Sequence, residues 1–98
     1  MTTSDQNKFY YVYILESSKD GKRYIGMTSD LRHRFQQHTD GKSLATASRR
    51  PFILIYYEAG RSYRDAQSRE KYFKTTAGRR ALAKRLREYR AGRNLKLS

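Results

Sequence analysis

Five side chains in this sequence have types and spacings that can do chemistry on a phosphate group. Tyr13 and Tyr24 carry phenols, Arg34 a guanidinium, His38 an imidazole and Glu70 a carboxylate. Two phenols on one face can sit near one bound group, and an imidazole can bond a phosphate oxygen or pass a proton. A guanidinium can grip a phosphate with two parallel N–H bonds. A carboxylate can bind Mg²⁺, which takes one or two carboxylates and keeps several waters. Each residue also admits a plainer role. The tyrosines can fill the core, Arg34 and His38 can lie on a solvated polar face, and Glu70 can pair with Arg34 or a local lysine.

Other chemistries find no matching pattern. The chain has no cysteine and no zinc-type Cys/His spacing. It has neither a GxxxxGK[ST] phosphate loop nor a GxGxxG turn. His33 and His38 are five apart, too far round a helix to form a metal pair, and no Ser/His/Asp arrangement suggests an acyl-transfer triad.

The elements that must position the five residues follow from local pattern. Phe9 to Glu16 is rich in aromatic and β-branched residues and predicts a strand. Asp20-Gly21 predicts a turn, and Lys22 to Thr28 the return strand of a hairpin. A hairpin turning at Asp20-Gly21 puts Tyr13 and Tyr24 on one face of the sheet. Ser29 or Asp30 can cap a helix to about His38, with Leu31 and Phe35 as its apolar stripe and Arg34 and His38 stacked one turn apart beside it. Thr39 to Arg50 reads as a loop closed by Pro51. Phe52 to Glu58 is a near-continuous apolar run, which predicts a buried strand.

Ser62, with Asp65 three residues on as a capping-box partner, predicts a second helix to about Lys74. Its stripe of Tyr63, Ala66, Glu70 and Phe73 should face inward and would carry a carboxylate with it. An unpaired buried carboxylate is costly, so Glu70 must meet a cation or an arginine. Gly78 is expected to interrupt, Arg79 to Ala91 to form a third helix with Leu82, Leu86 and Tyr89 on one side, and Gly92 to end it. The order is ββαβαα, an α+β domain with a small antiparallel sheet of about three strands flanked by helices. Residues 1–8 are expected to be a flexible arm, 9–92 the folded domain and 93–98 a tail.

The 98 residues suffice for one compact domain. With 22 Lys and Arg against 9 Asp and Glu, the net charge is +13. That excess argues for a polyanionic partner, since phosphates attract clustered cations and counterion release favours the complex. Lys84, Arg85, Arg87 and Arg90, opposed only by Glu88, suggest a sequence-independent track for a nucleic-acid backbone, or else a solvated basic helix. The lack of cysteine, of a leader-like start and of a long apolar run leads to the expectation of a cytoplasmic protein without a membrane partner.

The segment Tyr11-Val12-Tyr13, followed at a short interval by Tyr24-Ile25-Gly26, resembles the paired motif that names the GIY-YIG nucleases. Arg34 lies ten residues past Tyr24 with His38 one turn later, and Glu70 sits in the run Ser68-Arg69-Glu70-Lys71, as in that family. The resemblance covers roughly Phe9 to Leu86 and is strongest to the small stand-alone bacterial branch resembling the excinuclease C subunit. It implies cleavage of nucleic acid with one divalent cation, Mg²⁺ or Mn²⁺, and no small-molecule cofactor. By carry-over Glu70 is the metal ligand, Arg34 steadies the scissile phosphate, Tyr13 and Tyr24 contact or activate the attacking water, and His38 assists. Arg23, Arg32, Lys71, Lys74, Arg79, Arg80, Lys84 and Arg87 are the expected nucleic-acid contacts. DNA, single-stranded or branched, is favoured over RNA, with a monomer or weak dimer acting without strong sequence specificity. The sequence departs from the family at Tyr11, in place of a glycine, and at Met27, where some relatives carry lysine. The stretch Gly78-Arg79-Arg80-Ala81-Leu82 lacks the asparagine of many relatives, a role that Arg79 or a backbone group would have to fill. Two rivals remain at this point: a basic DNA- or RNA-binding module that keeps this fold without turnover, and a ribosome-associated structural protein.

Overall fold

The central strand is the segment densest in aromatic and branched residues. In the computed structural model, which describes residues 8–97 (the backbone alone for 94–97), β1 spans Tyr10–Ser17. It pairs antiparallel with β2 (Arg23–Thr28) on one side and β3 (Phe52–Gly60) on the other, giving the order β2-β1-β3. Val12, Tyr13, Ile14 and Leu15 are each at most 1% exposed, because β1 is covered on both faces.

The strand expected to be buried, Phe52–Glu58, is instead an edge strand with Ile53 and Tyr57 exposed. Its apolar run reflects an edge with partial cover on each face, and run length alone does not distinguish that from a central strand. A register shift between Ile14 and Leu15 leaves Ile55 of β3 without a partner on β1.

One short helix, α1 (Leu31–Thr39), covers the face carrying Tyr13 and Leu15. Asp30 caps it, accepting a bond from His33 N at 3.1 Å. The loop that follows holds a 3-10 turn at Ala47–Arg49. The other face is covered by α2 (Tyr63–Phe73), α3 (Thr76–Arg85) and α4 (Arg87–Leu97). There Val12 and Ile14 pack with Ala66, Phe73, Leu82 and Leu86. Ser62 caps α2 through Asp65 N as expected. Glu58 accepts two bonds from Arg69, at 2.8 and 3.0 Å, and so ties β3 to α2.

Three expectations are corrected in the helical layer. Gly78 does not interrupt: it lies in the first turn of α3, where its N–H reaches Thr75 Oγ1 at 3.0 Å. A Cβ at 78 would collide with the backbone of Tyr72 and Phe73, so the glycine permits a close crossing of α3 on the end of α2. The single third helix is two, broken at Leu86. Gly92 does not end the last one, which continues to Leu97 through part of the expected tail. Of the expected N-terminal arm, residues 1–7 lie outside the described residues and Lys8 is exposed.

Candidate active site

β1 supplies Tyr13 because alternate residues of a strand share a face. In the hairpin register Tyr13 is opposite Gly26 and Leu15 opposite Tyr24, so both phenols lie on the α1 side of the sheet. Their ring centroids are 6.4 Å apart, and the His38 ring stands 5.7 Å from Tyr13 and 5.2 Å from Tyr24. Tyr13 passes over Gly26 toward the free edge of β2. A Cβ at 26 would collide with Tyr13 Cζ and Oη, so no other residue lets the phenol take this position unmoved.

His38 arrives from the last turn of α1 and is wholly buried. Its Nε2 lies 2.8 Å from the Tyr13 hydroxyl and its Nδ1 2.7 Å from Thr46 Oγ1. The Thr46 hydroxyl points to the Ser43 carbonyl at 3.5 Å, which leaves its oxygen to accept from Nδ1–H. Nε2 is then the acceptor and the Tyr13 O–H the donor. Burial pushes the Tyr13 phenol up to about 12, against the pull of the neighbouring Arg34 guanidinium and with smaller upward pushes from Tyr24 and Glu70. Burial, and then the charge of Arg34, holds His38 below the usual histidine value of 6.5. At neutral pH both groups are uncharged.

Arg34 is half-buried. It donates to Gln37 Oε1 at 3.0 Å and Ser43 Oγ at 3.4 Å, and among the described residues no carboxylate lies within ion-pair distance of it. Glu70 comes from α2, on the opposite face, and its side chain is 25% exposed. Of the two partners expected for it, the local one is present, Lys74 Nζ, at a loose 3.9 Å. Arg34 and Glu70 thus sit on helices on opposite sides of the sheet, yet both act electrostatically on the Tyr13 hydroxyl at the β2 edge. Among the described residues no cluster of three or more His, Cys, Asp or Glu could hold a metal. A partly exposed carboxylate with one distant partner does suit Mg²⁺ or Mn²⁺, which would complete their shells with water and substrate oxygens.

The profile of the GIY-YIG catalytic domain matches residues 9–81, most of the chain. The chain belongs to the GIY-YIG family. Within it, the chain is 42% identical over 69 residues to the UPF0213 protein YazA of Bacillus subtilis, an alignment covering 69% of this chain and 67% of that one. The UPF0213 protein spr1390 of Streptococcus pneumoniae is 43% identical over 65 residues, covering 65% of each. The alignments span about two thirds of the length of these relatives. The solution structure of the UPF0213 protein BH0048 from Bacillus halodurans superposes with a TM-score of 0.50 at 34% identity, covering 78% of this chain and 83% of that one. The GIY-YIG fold expected from the sequence is the fold observed, three antiparallel strands flanked by helices.

The expected nucleic-acid contacts of this GIY-YIG domain divide over several surfaces. Arg32 is exposed on α1. Lys71, Lys74, Arg79, Arg80, Lys84 and Arg87 are exposed on α2 to α4. Arg23 and Arg79 line a groove of about 550 Å³ with Lys22 and Arg90, above Glu16. Glu16 is already engaged by Tyr89 Oη at 2.9 Å and Arg93 at 3.4 Å, so the groove stays basic. Arg79 lies in that groove. Three residues escaped the sequence reading: Gly26, Ser43 and Thr46. A glycine inside a strand is a signal of close approach that was there to be read. Ser43 and Thr46 sit in a polar loop that nothing in the sequence marks as buried.

Proposed function

We propose that this GIY-YIG domain is an endonuclease that hydrolyses phosphodiester bonds in DNA, single-stranded or branched, with one Mg²⁺ or Mn²⁺ and little sequence preference. The observation that supports it most is the cluster at Tyr13: its hydroxyl lies 2.8 Å from His38 Nε2 and its ring 6.4 Å from that of Tyr24. Arg34 on the same side of the sheet has no carboxylate within ion-pair distance among the described residues, while the partly exposed Glu70 comes from the opposite side. Such a set matches what in-line attack on a phosphate diester requires. One P–O bond forms from water, one ester P–O bond breaks, a proton leaves the water and negative charge grows on the non-bridging oxygens.

Each group has a role in that reaction. Arg34 holds the scissile phosphate and offsets the growing charge. Tyr24, the less buried phenol, borders the attacking water. A phenol with a pKa of about 12 is a poor base alone, ionised in roughly one molecule in 10⁵ at pH 7. Tyr13 overcomes this by handing its proton to His38 Nε2 as it takes one from the water. Thr46 keeps Nε2 free to receive that proton. The imidazolium so formed would be disfavoured beside Arg34, and the bound phosphate supplies the compensating charge. Glu70 would hold the divalent ion, which when bound supplies Lewis-acid stabilisation of the phosphate and leaving group.

Purified protein incubated with single-stranded, duplex and branched DNA and with RNA, in Mg²⁺, Mn²⁺ or EDTA, tests the proposal. Cleavage is expected in either metal and not in EDTA, and Glu70→Ala and Arg34→Ala should each lower it about a hundredfold or more with the fold intact. Binding without cutting in either metal would instead identify a non-catalytic module of this fold.

A further inference from the structure

The face of the sheet shared with Tyr13 is only partly covered. Beside α1 it opens into a groove of about 460 Å³ between that helix and β3, lined by Tyr11, Phe35, Leu54 and Tyr57, with Arg32 and Asp30 at its rim. Tyr57 is 53% exposed, and its ring lies 5.9 Å from that of Tyr11, tilted to it by 59°. Tyr11 and Tyr13 are alternate residues on one face of β1, about 7 Å apart along the strand; the groove opens toward β3, while the Tyr13 hydroxyl reaches toward β2.

We propose that this groove is a base-binding subsite, which stacks one unpaired nucleobase of the single strand whose backbone is held at Tyr13 on the same face of the sheet. Three features select that occupant. Two phenol rings and a phenylalanine offer π-faces to any base, without hydrogen-bond readout. Arg32 at the rim favours the phosphate attached to such a base, whereas the N-terminal end of α1 beside it is already capped by the Asp30 carboxylate. A net charge of +13 opposes a second copy of the chain and attracts a nucleic acid. A paired base, stacked within its duplex, cannot insert, so the groove would favour unpaired substrate.

The inference rests on the nucleic-acid reading of the adjacent site, and a test in EDTA separates the two because it needs no turnover. Fluorescence anisotropy would compare binding of the whole chain to an oligothymidylate and to an all-abasic oligomer of equal length and charge. The wild type should prefer the oligothymidylate roughly tenfold. Tyr57→Ala should lose that preference, and Tyr57→Phe, which keeps the ring, should retain it. An unchanged preference in Tyr57→Ala overturns the subsite while leaving the nuclease proposal standing. So does a wild type that binds both oligomers equally, or a groove mutation that dissolves a dimer without changing affinity. A wild type that prefers bases in EDTA yet never cleaves in metal supports the subsite and sinks the nuclease reading.

Discussion

At the scale of single residues, the buried His38, bonded to Tyr13 and Thr46, contributes to how stability responds to pH. The folded-state pKa of His38 lies below the 6.5 of an unperturbed imidazole. The unfolded chain therefore takes up the proton first. This contribution to stability is complete above about pH 6.5 and is lost as pH falls toward the folded-state value. Asp20 and Glu58 are lowered from 3.8 and 4.5, so their losses come at lower pH still. A melting temperature that declines from pH 6.5 downward in the wild type, with a shallower decline above pH 5 in His38→Gln, is the expected outcome of a calorimetric pH series. Parallel slopes in the two proteins would show that His38 does not titrate as described. Cleavage should share the acid limb, since Nε2 must be free to accept the Tyr13 proton.

The shared face of the two phenols was legible from the hairpin pattern, whereas roles for the five chemistry-bearing residues came from the resemblance to the family. The network around them was less legible. Whether Glu70 pairs with Arg34 or with a lysine depends on which side of the sheet α2 occupies, a tertiary fact that helical periodicity does not contain. The burial of Ser43 and Thr46 likewise follows from how the 39–50 loop folds back over α1.

At the scale of elements, two glycines set how closely pieces of backbone approach. Gly26→Ala is expected to drive the Tyr13 ring off its place on β2 and away from His38. Loss of stability of about 1–3 kcal/mol and a fall in cleavage of tenfold or more should accompany it, read by denaturant titration and a gel assay. Full activity with an unshifted fold would mean that the phenol has room the geometry denies it. Gly78→Ala places a methyl against the Tyr72 carbonyl, where backbone and not a flexible side chain must yield. It should destabilise by about 3 kcal/mol or more by the same titration, with α3 displaced from α2. An unchanged midpoint would contradict the close crossing. Gly78 and Gly92 show why these boundaries were misread. Glycine is a common helix terminator, but here one allows a helix–helix contact and the other is carried within α4.

At the scale of the whole molecule, the sequence discloses a charge of +13 but not its distribution. The fold places most exposed Lys and Arg on the helical layer behind the sheet, while the aromatic groove opens on the α1 face. The domain measures 54 × 30 × 21 Å, long enough to hold a strand along more than one of these surfaces. Binding should therefore depend steeply on salt. About five phosphate contacts on a single strand would cost roughly a hundredfold in affinity between 50 and 200 mM salt. Anisotropy titrations across that range would check it, and a flat response would mean that the basic surface does not track a backbone.

The most direct measurement of the central claim is the single-turnover cleavage rate of a single-stranded DNA in Mn²⁺ or Mg²⁺, wild type beside Glu70→Ala. The account predicts metal-dependent cutting by the wild type, a loss of about a hundredfold or more in the variant, and matching melting curves for the two proteins. Equal rates in both, or cutting by the wild type that survives EDTA, would contradict it.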